Sequence, residues 1–135
     1  LSEDALETAR LNATQLDLTE RVSFVQCDYA SALSGPFDLI VSNPPYIAAH
    51  DPHLQGDGVR FEPHMALTDA ADGLACIRQI VAGAAAHLEP GGWLLFEHGY
   101  DQGEASRNLL QAAGFKDVFT QPDLAGTDRV SGGQL

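Results

Sequence analysis

Phe37-Asp38-Leu39-Ile40-Val41-Ser42-Asn43-Pro44-Pro45-Tyr46 is the stretch on which the reading of this chain turns. Its first six residues form a short apolar run of the kind that makes a buried parallel strand. The last four then fall at that strand's carboxyl end, where open α/β sheets hold their ligands. Two successive prolines fix φ twice and remove two backbone donors, so the local chain is stiff and its carbonyls are free to accept hydrogen bonds. The Asn43 carboxamide oxygen and the Pro44 carbonyl can each accept one N–H of a planar amide or amine, Pro45 holds the turn, and Tyr46 can stack on the flat face. The pattern suits chemistry at a planar nitrogen. A proline-rich turn that merely ends a strand is the plainer reading of the same residues.

Outward from this stretch, strands and helices alternate. Ser2 is placed to cap a helix whose apolar face is Ala5, Ala9, Ala13 and Leu16, with Glu3 and Asp4 in its first turn. Val22 to Cys27 reads as a strand ending at Asp28-Tyr29. After Tyr46 a long loop runs from Ile47 to about Asp72, and Leu74, Ile77, Val81, Ala84 and Leu88 mark an amphipathic helix closed by Pro90-Gly91-Gly92. Trp93 to Glu97 reads as a buried strand. A helix follows from Asp101, with Glu104 as its capping-box partner and Gly114 just past its end. Phe115 to Thr120 and Thr127 to Ser131 close the chain as antiparallel strands, leaving Ser131–Leu135 as a tail. The alternation predicts an α/β fold with a mostly parallel sheet and a C-terminal antiparallel hairpin. There are no repeats, low-complexity tracts or linkers.

The chain has 135 residues, enough for one domain with a sizeable core, and 19 acidic against 7 basic residues give a net charge of −12. That balance disfavours DNA or RNA as a partner, because phosphate binding rests on Lys and Arg; solubility is its plainer use. Cys27 and Cys76 suggest no disulfide scaffold and read as reduced thiols. No stretch has the length and apolarity to span a bilayer, and Leu1-Ser-Glu-Asp lacks the marks of a signal peptide, so the cytoplasm is the expected location. His50, His53, His64, His87 and His98 do not reproduce a metal-binding spacing, and Trp93 is expected in the core.

A doubly wound nucleotide-binding fold opens with a strand and a Gly-rich turn, followed by an acidic residue that ends the next strand. Neither is found here. Gly56-Asp57-Gly58 does not substitute, since it follows no predicted strand and precedes no helix. With Leu1 in place of an initiator methionine, the chain reads as a piece of something longer.

The Asn43-Pro44-Pro45-Tyr46 motif resembles that of S-adenosylmethionine-dependent methyltransferases acting on amide or amino nitrogens. Val59-Arg60-Phe61-Glu62-Pro63, Ala66-Leu67, Asp72-Gly73-Leu74, Pro90-Gly91-Gly92, Glu97-His98-Gly99, Gln102-Gly103 and Asp123-Leu124-Ala125-Gly126-Thr127-Asp128-Arg129-Val130 are similar to the protein-(glutamine-N5) methyltransferases of peptide chain release factors. The likeness spans nearly the whole chain. It implies a class I, Rossmann-like methyltransferase fold with its first strands missing, residues 1–135 being the carboxyl portion of the catalytic domain without the Gly-rich cofactor loop and the N-terminal helical domain. S-adenosylmethionine is the implied cofactor and a class I release factor the implied partner. Asp28 and Tyr29 would face the adenine; where the family commonly has Trp after the Asp, this chain has Tyr29. Asn43 would also touch the methionine end of the cofactor.

An amide nitrogen is a poor nucleophile, and no strong base accompanies the motif. Two acceptors that take both N–H groups would hold the nitrogen in line with the methyl carbon and stabilise charge developing on it. Asn43 and Pro44 are thus the candidate catalytic groups, with Pro45, Tyr46 and Glu62 on the substrate side. For Glu62 a structural ion pair with Arg60 competes with a role at the substrate. Glu97 and His98 suit support of the site better than proton transfer. Three functions follow: methylation of the glutamine in a Gly-Gly-Gln motif, methylation of an exocyclic base amine in DNA or RNA, or an inactive piece that self-associates through exposed sheet edges. The tail's own Gly132-Gly133-Gln134 repeats the family's target tripeptide, a match of three residues that carries little information.

Overall fold

Strand β2 (Leu88–Glu97) is the axis around which the sheet of the computed structural model is built, with β1 (Phe37–Ser42) on one side and β4 (Asp128–Gln134), then β3 (Lys116–Pro122), on the other. Residues 2–56, 59 and 61–135 are described. β1 runs parallel to β2, while β2 with β4 and β3 with β4 are antiparallel. The sheet is therefore mixed, and the expected antiparallel C-terminal hairpin is present.

The backbone forms two compact units, residues 1–34 and 35–135. In the first, α1 (Glu3–Gln15) starts where the Ser2 Oγ accepts a hydrogen bond from the Ala5 N–H at 3.2 Å, as the cap predicts. Its apolar face is incompletely covered, since Leu16 is 67% exposed. The predicted strand Val22–Cys27 does not form. Val22 has extended dihedrals, but a strand is a pairing and no described segment pairs with this one.

In the second unit, α2 (His64–Leu67) is a single turn, and α3 (Ala75–Ala84) and α4 (Gly103–Ala112) pack on the sheet. Ile77, Ile80, Val81 and Ala84 line one face of α3 at helical spacing and bury against Leu88, Leu94, Phe96, Leu110 and Phe115. Each of these Ile, Val, Leu and Phe side chains contributes roughly 1.5–3 kcal/mol by leaving water. β2 alternates: Leu94 and Phe96 face this core, and Trp93 stands half-buried on the other face, its ring centroid 6.1 Å from that of Phe119.

Three predicted punctuation marks are corrected. Pro90-Gly91-Gly92 does not close a helix; α3 gives way to a 3₁₀ turn over Ala85–His87, and the three residues lie inside β2. They bulge there, for Phe37 pairs with Leu88 while Leu39 already pairs with Trp93. The Asp101/Glu104 capping box is absent because Gln102 occupies the N-cap without capping α4, its side chain being engaged elsewhere. Residues 131–135 are no loose tail: Ser131 to Gln134 belong to β4, the Gly91 N–H donates to the Leu135 carbonyl, and the Leu135 N–H donates to the Gly92 carbonyl. A Cβ on Gly132 would collide with the Leu95 side chain and come within 2.8 Å of the Leu94 carbonyl. Glycine is needed there by close packing. Gly114, by contrast, is the C′ residue expected, with φ +90°.

No helix among the described residues is long and apolar enough to cross a membrane, and no group of three or more His, Cys, Asp or Glu residues among them could hold a metal ion.

Candidate active site

The site grows from the carboxyl ends of β1 and β2, which lie side by side because the strands are parallel and paired through Ser42 and Phe96. At the end of β1, Asn43 is exposed, Pro44 is buried, and Pro45 and Tyr46 are half-buried. Among the described residues nothing hydrogen-bonds to the Asn43 carboxamide or to the Pro44 and Pro45 carbonyls.

Tyr46 is held at both ends. Its hydroxyl donates to Glu97 Oε1 at 2.7 Å, and its carbonyl accepts from Gln102 Nε2 at 2.9 Å. Burial first, then the Glu97 bond and charge, push the phenol up to about 12, which keeps it neutral and donating. Glu97 ends β2 and so faces the adjacent strand's loop, which explains how residues far apart in sequence meet.

Beyond Glu97 the chain is tied tightly. His98 is fully buried, with Nδ1 2.8 Å from the Gly99 carbonyl and Nε2 2.9 Å from Ser131 Oγ. A carbonyl only accepts, so Nδ1 carries a proton, and in the neutral ring Nε2 accepts from Ser131. Ser131 Oγ then accepts from Thr120 Oγ1 at 2.8 Å, and Thr120 Oγ1 accepts from Arg107 at 2.6 Å. The result is one directed chain from Arg107 to the Gly99 carbonyl.

The loop after Tyr46 folds back on itself. The Ile47 N–H donates to Leu67 O and the Ala49 N–H to Ala71 O, each at 3.0 Å. Asp69 stops this loop and starts α3: its carboxylate accepts from the Ala71, Gly73 and Ala75 N–H groups at 2.8–3.0 Å. Between this loop, the end of β2 and the start of α4 lies a cavity of about 390 Å³, whose lining includes Tyr46, Ile47, Leu74, Gly99, Gln102 and Arg129. Arg129 is held by Asp123, its Nε 3.5 Å from Oδ2.

Glu62 is exposed and outside that lining, and its suggested partner Arg60 lies outside the described residues, as do Asp57 and Gly58. Asp28 and Tyr29 belong to the first unit. The Asp28 N–H donates to Ser31 Oγ, the Asp28 carboxylate is exposed with no hydrogen bond to a described residue, and Tyr29 is 40% exposed at φ +49°.

The chain is 54% identical over 97% of its length to a release factor glutamine methyltransferase of Burkholderia pseudomallei, 53% over 98% to one of Pseudomonas aeruginosa and 47% over 99% to one of Yersinia pestis, covering 48% of each. Over nearly all of its length the chain is similar in sequence to release factor glutamine methyltransferases. It spans about half the length of the curated relatives it matches. Residues 1–55 also match the family model described as "RMKL-like, methyltransferase domain". In three dimensions the chain resembles a methyltransferase of Pyrococcus furiosus (TM-score 0.65, 19% identity, 99% of this chain and 58% of that one). It also resembles a ribosomal protein L11 methylase of Lactobacillus delbrueckii (TM-score 0.64, 17% identity, 98% and 52%). These likenesses concern the fold, a partial class I, Rossmann-like methyltransferase domain.

Gln102, Asp69 and Arg129 carry structural weight at the site that sequence reasoning had not given them. Gln102 had a signal: Gln is a poor N-cap, so its presence just before a helix indicates a side chain employed elsewhere. Asp69 sits before a turn and a helix, a position where Asp serves backbone N–H groups. Arg129 had none beyond the family likeness.

Proposed function

We propose that the whole protein transfers a methyl group from S-adenosylmethionine to the side-chain amide nitrogen of the glutamine in a release factor's Gly-Gly-Gln motif, and that residues 1–135 form the carboxyl portion of its catalytic domain. The observation that carries this reading is the pairing of unengaged acceptors at Asn43 and Pro44 with a Tyr46 fixed by Glu97. A primary amide has two N–H groups and one flat face. Two acceptors and one ring answer them.

Bound S-adenosylmethionine would supply an electrophilic methyl carbon: as the N–C bond forms, the S–CH₃ bond would break, the sulfur leaving as a neutral thioether and one N–H proton passing to solvent. Asp28 and Tyr29 fit its adenine in kind, since an unpaired exposed carboxylate can accept from an exocyclic amine and an exposed ring can stack on a base. Asn43 and Pro44 would take the two amide N–H groups, holding the nitrogen in line with the methyl donor. As charge grows on nitrogen, two oxygens already holding its N–H groups would stabilise it with little solvent reorganisation. Glu97 keeps Tyr46 oriented and leaves its ring to cover the amide plane. Glu62 is exposed and, like Asn43 and Pro44, is not among the residues that line the cavity; no step is assigned to it in this reading. The cytoplasm is the matching location, because release factors act on ribosomes.

The test is mass spectrometry of the full-length protein with cofactor and three acceptors: a Gly-Gly-Gln peptide, its Gly-Gly-Glu counterpart and an adenine-bearing oligonucleotide. One added methyl group on the glutamine peptide alone is expected. Methylation of the oligonucleotide in place of the peptide would defeat the reading in favour of a base-amine methyltransferase.

A further inference from the structure

Three loops meet at one side chain. Gln102 Oε1 accepts from the Gly99 N–H at 2.8 Å, while Nε2 donates to the Tyr46 carbonyl at 2.9 Å and the Gly73 carbonyl at 3.3 Å. Only one orientation of the amide satisfies all three, since flipping it would set N–H against N–H and oxygen against two carbonyls. Gly73 is shaped around the contact: at φ +82°, a Cβ there would come within 2.5 Å of the Tyr46 carbonyl and 2.6 Å of Gln102 Nε2. The amide thus joins the segment following β2, the segment following β1 and the approach to α3.

We propose that Gln102 is a positioning residue for the acceptor side of the active site: by holding the Tyr46 carbonyl, it fixes the Asn43–Tyr46 turn against the end of β2. The Tyr46–Glu97 bond fixes the ring, but a phenol swings about its own side-chain torsions and leaves the backbone free. Gln102 constrains that backbone at the Tyr46 carbonyl, beside the bond from the Ile47 N–H to Leu67 O. Because Tyr46 is two residues from Pro44, displacement of its peptide tilts the Pro44 carbonyl that would receive the acceptor nitrogen. The kinetic part of this inference rests on the methyl-transfer reading above; the structural part does not.

Gln102→Glu separates the two halves of the contact. The carboxylate keeps the shape and still accepts from Gly99, but it sets oxygen against the carbonyls of Tyr46 and Gly73. Gln102→Met removes both halves. In the full-length protein, amide hydrogen exchange followed by NMR should show Ile47 and Ala49 exchanging faster in Gln102→Glu while Gly99 stays protected, and all three faster in Gln102→Met. A residue that merely fills space would give the two variants one pattern, or none. In the kinetic arm, kcat with the Gly-Gly-Gln peptide should fall by roughly 10²-fold in Gln102→Glu, the scale expected for a misplacement of about 1 Å, with cofactor affinity unchanged.

Unchanged exchange at Ile47 and Ala49 overturns the clamp, and so does a loss of cofactor affinity equal to the loss of kcat. Should the wild-type protein methylate no glutamine peptide, the functional reading fails while the exchange arm still decides the clamp. If Gln102→Glu does not fold, native-state exchange of the wild type decides: Ile47 and Gly99 opening together supports the clamp, and opening with different free energies defeats it.

Discussion

The carboxyl ends of β1 and β2 lie next to each other, yet they spend their polar groups in opposite ways. At the end of β1 the Asn43 carboxamide and the Pro44 carbonyl have no partner among the described residues. At the end of β2, Glu97 accepts from Tyr46, both nitrogens of His98 are engaged, and the Gly99 N–H is taken by Gln102. An acceptor meant for a ligand must be left empty in the free protein, and an empty acceptor is aimed only if its surroundings do not move. One strand end presents, and the other holds.

The largest effect should therefore come from the presenting end. In the full-length protein Asn43→Ala is expected to lower turnover roughly a hundredfold or more while leaving the unfolding midpoint unchanged, because an exposed side chain without partners contributes little to stability. Turnover on a glutamine peptide and a thermal melt check it. Near-normal turnover would remove Asn43 from the chemistry, and a large drop in midpoint would erase the distinction between the two ends.

His98→Ala probes the holding end and should show the reverse. It empties a fully buried position and takes one hydrogen bond each from the Ser131 hydroxyl, which keeps Thr120, and the Gly99 carbonyl, which keeps the Gln102 N–H, a cost of about 2–4 kcal/mol in unfolding free energy. Denaturant unfolding measures it. Cofactor affinity of the fraction still folded should change little.

The presenting end was the legible one. Asn43-Pro44-Pro45-Tyr46 declares itself because φ restriction and missing donors belong to the residues themselves, and α3 was readable because Ile77, Val81 and Ala84 repeat at helical spacing. The holding end was not, since Tyr46 and Glu97 are 51 residues apart and Gln102 reaches 56 back to Tyr46. Pairing of that kind is a property of the sheet. The same limit explains the errors: Val22–Cys27 has the residues of a strand without a described partner, and Pro90-Gly91-Gly92 makes the same local signal as a helix stop or a bulge. Gly132-Gly133 looked like a tail because no local pattern reports how closely Leu94 and Phe115 approach.

A smaller effect tests the bond joining the two ends. Tyr46 titrates near 12 chiefly because it is partly buried and secondly because Glu97 accepts its proton. Glu97→Gln should lower that value toward 10 without reaching it, as burial remains. The phenol absorbance lost in Tyr46→Phe identifies the titration. A folded pKa raised above the unfolded one means the folded state retains the proton longer, so this contribution to stability is complete below pH 10 and disappears between pH 10 and about 12. An unchanged titration in Glu97→Gln would mean the bond does not form in solution.

The smallest effect belongs to Asp72 and Arg78, which hydrogen-bond through both oxygens at 3.0 and 2.6 Å near the cavity and yet are solvent-exposed, with side chains 53% and 48% accessible. The guanidinium first, and the Leu74 N–H second, hold the Asp72 carboxyl down at about 2. Water and salt screen such a pair, so Arg78→Ala should leave the unfolding midpoint at neutral pH within about two degrees of wild type. The carboxyl should respond more clearly than the stability does: followed by NMR, Asp72 should titrate higher in the variant, yet still below 3.8, because the Leu74 N–H continues to favour the ionised form. A folded pKa below the unfolded one places this pair's contribution above pH 3.8 and removes it as the pH falls toward 2. A substantial loss of midpoint at neutral pH would show that the loop before α3 leans on this exposed pair. In that case the holding function extends past Asp69 and Gln102 to the surface, and the division between presenting and holding ends would need a third member.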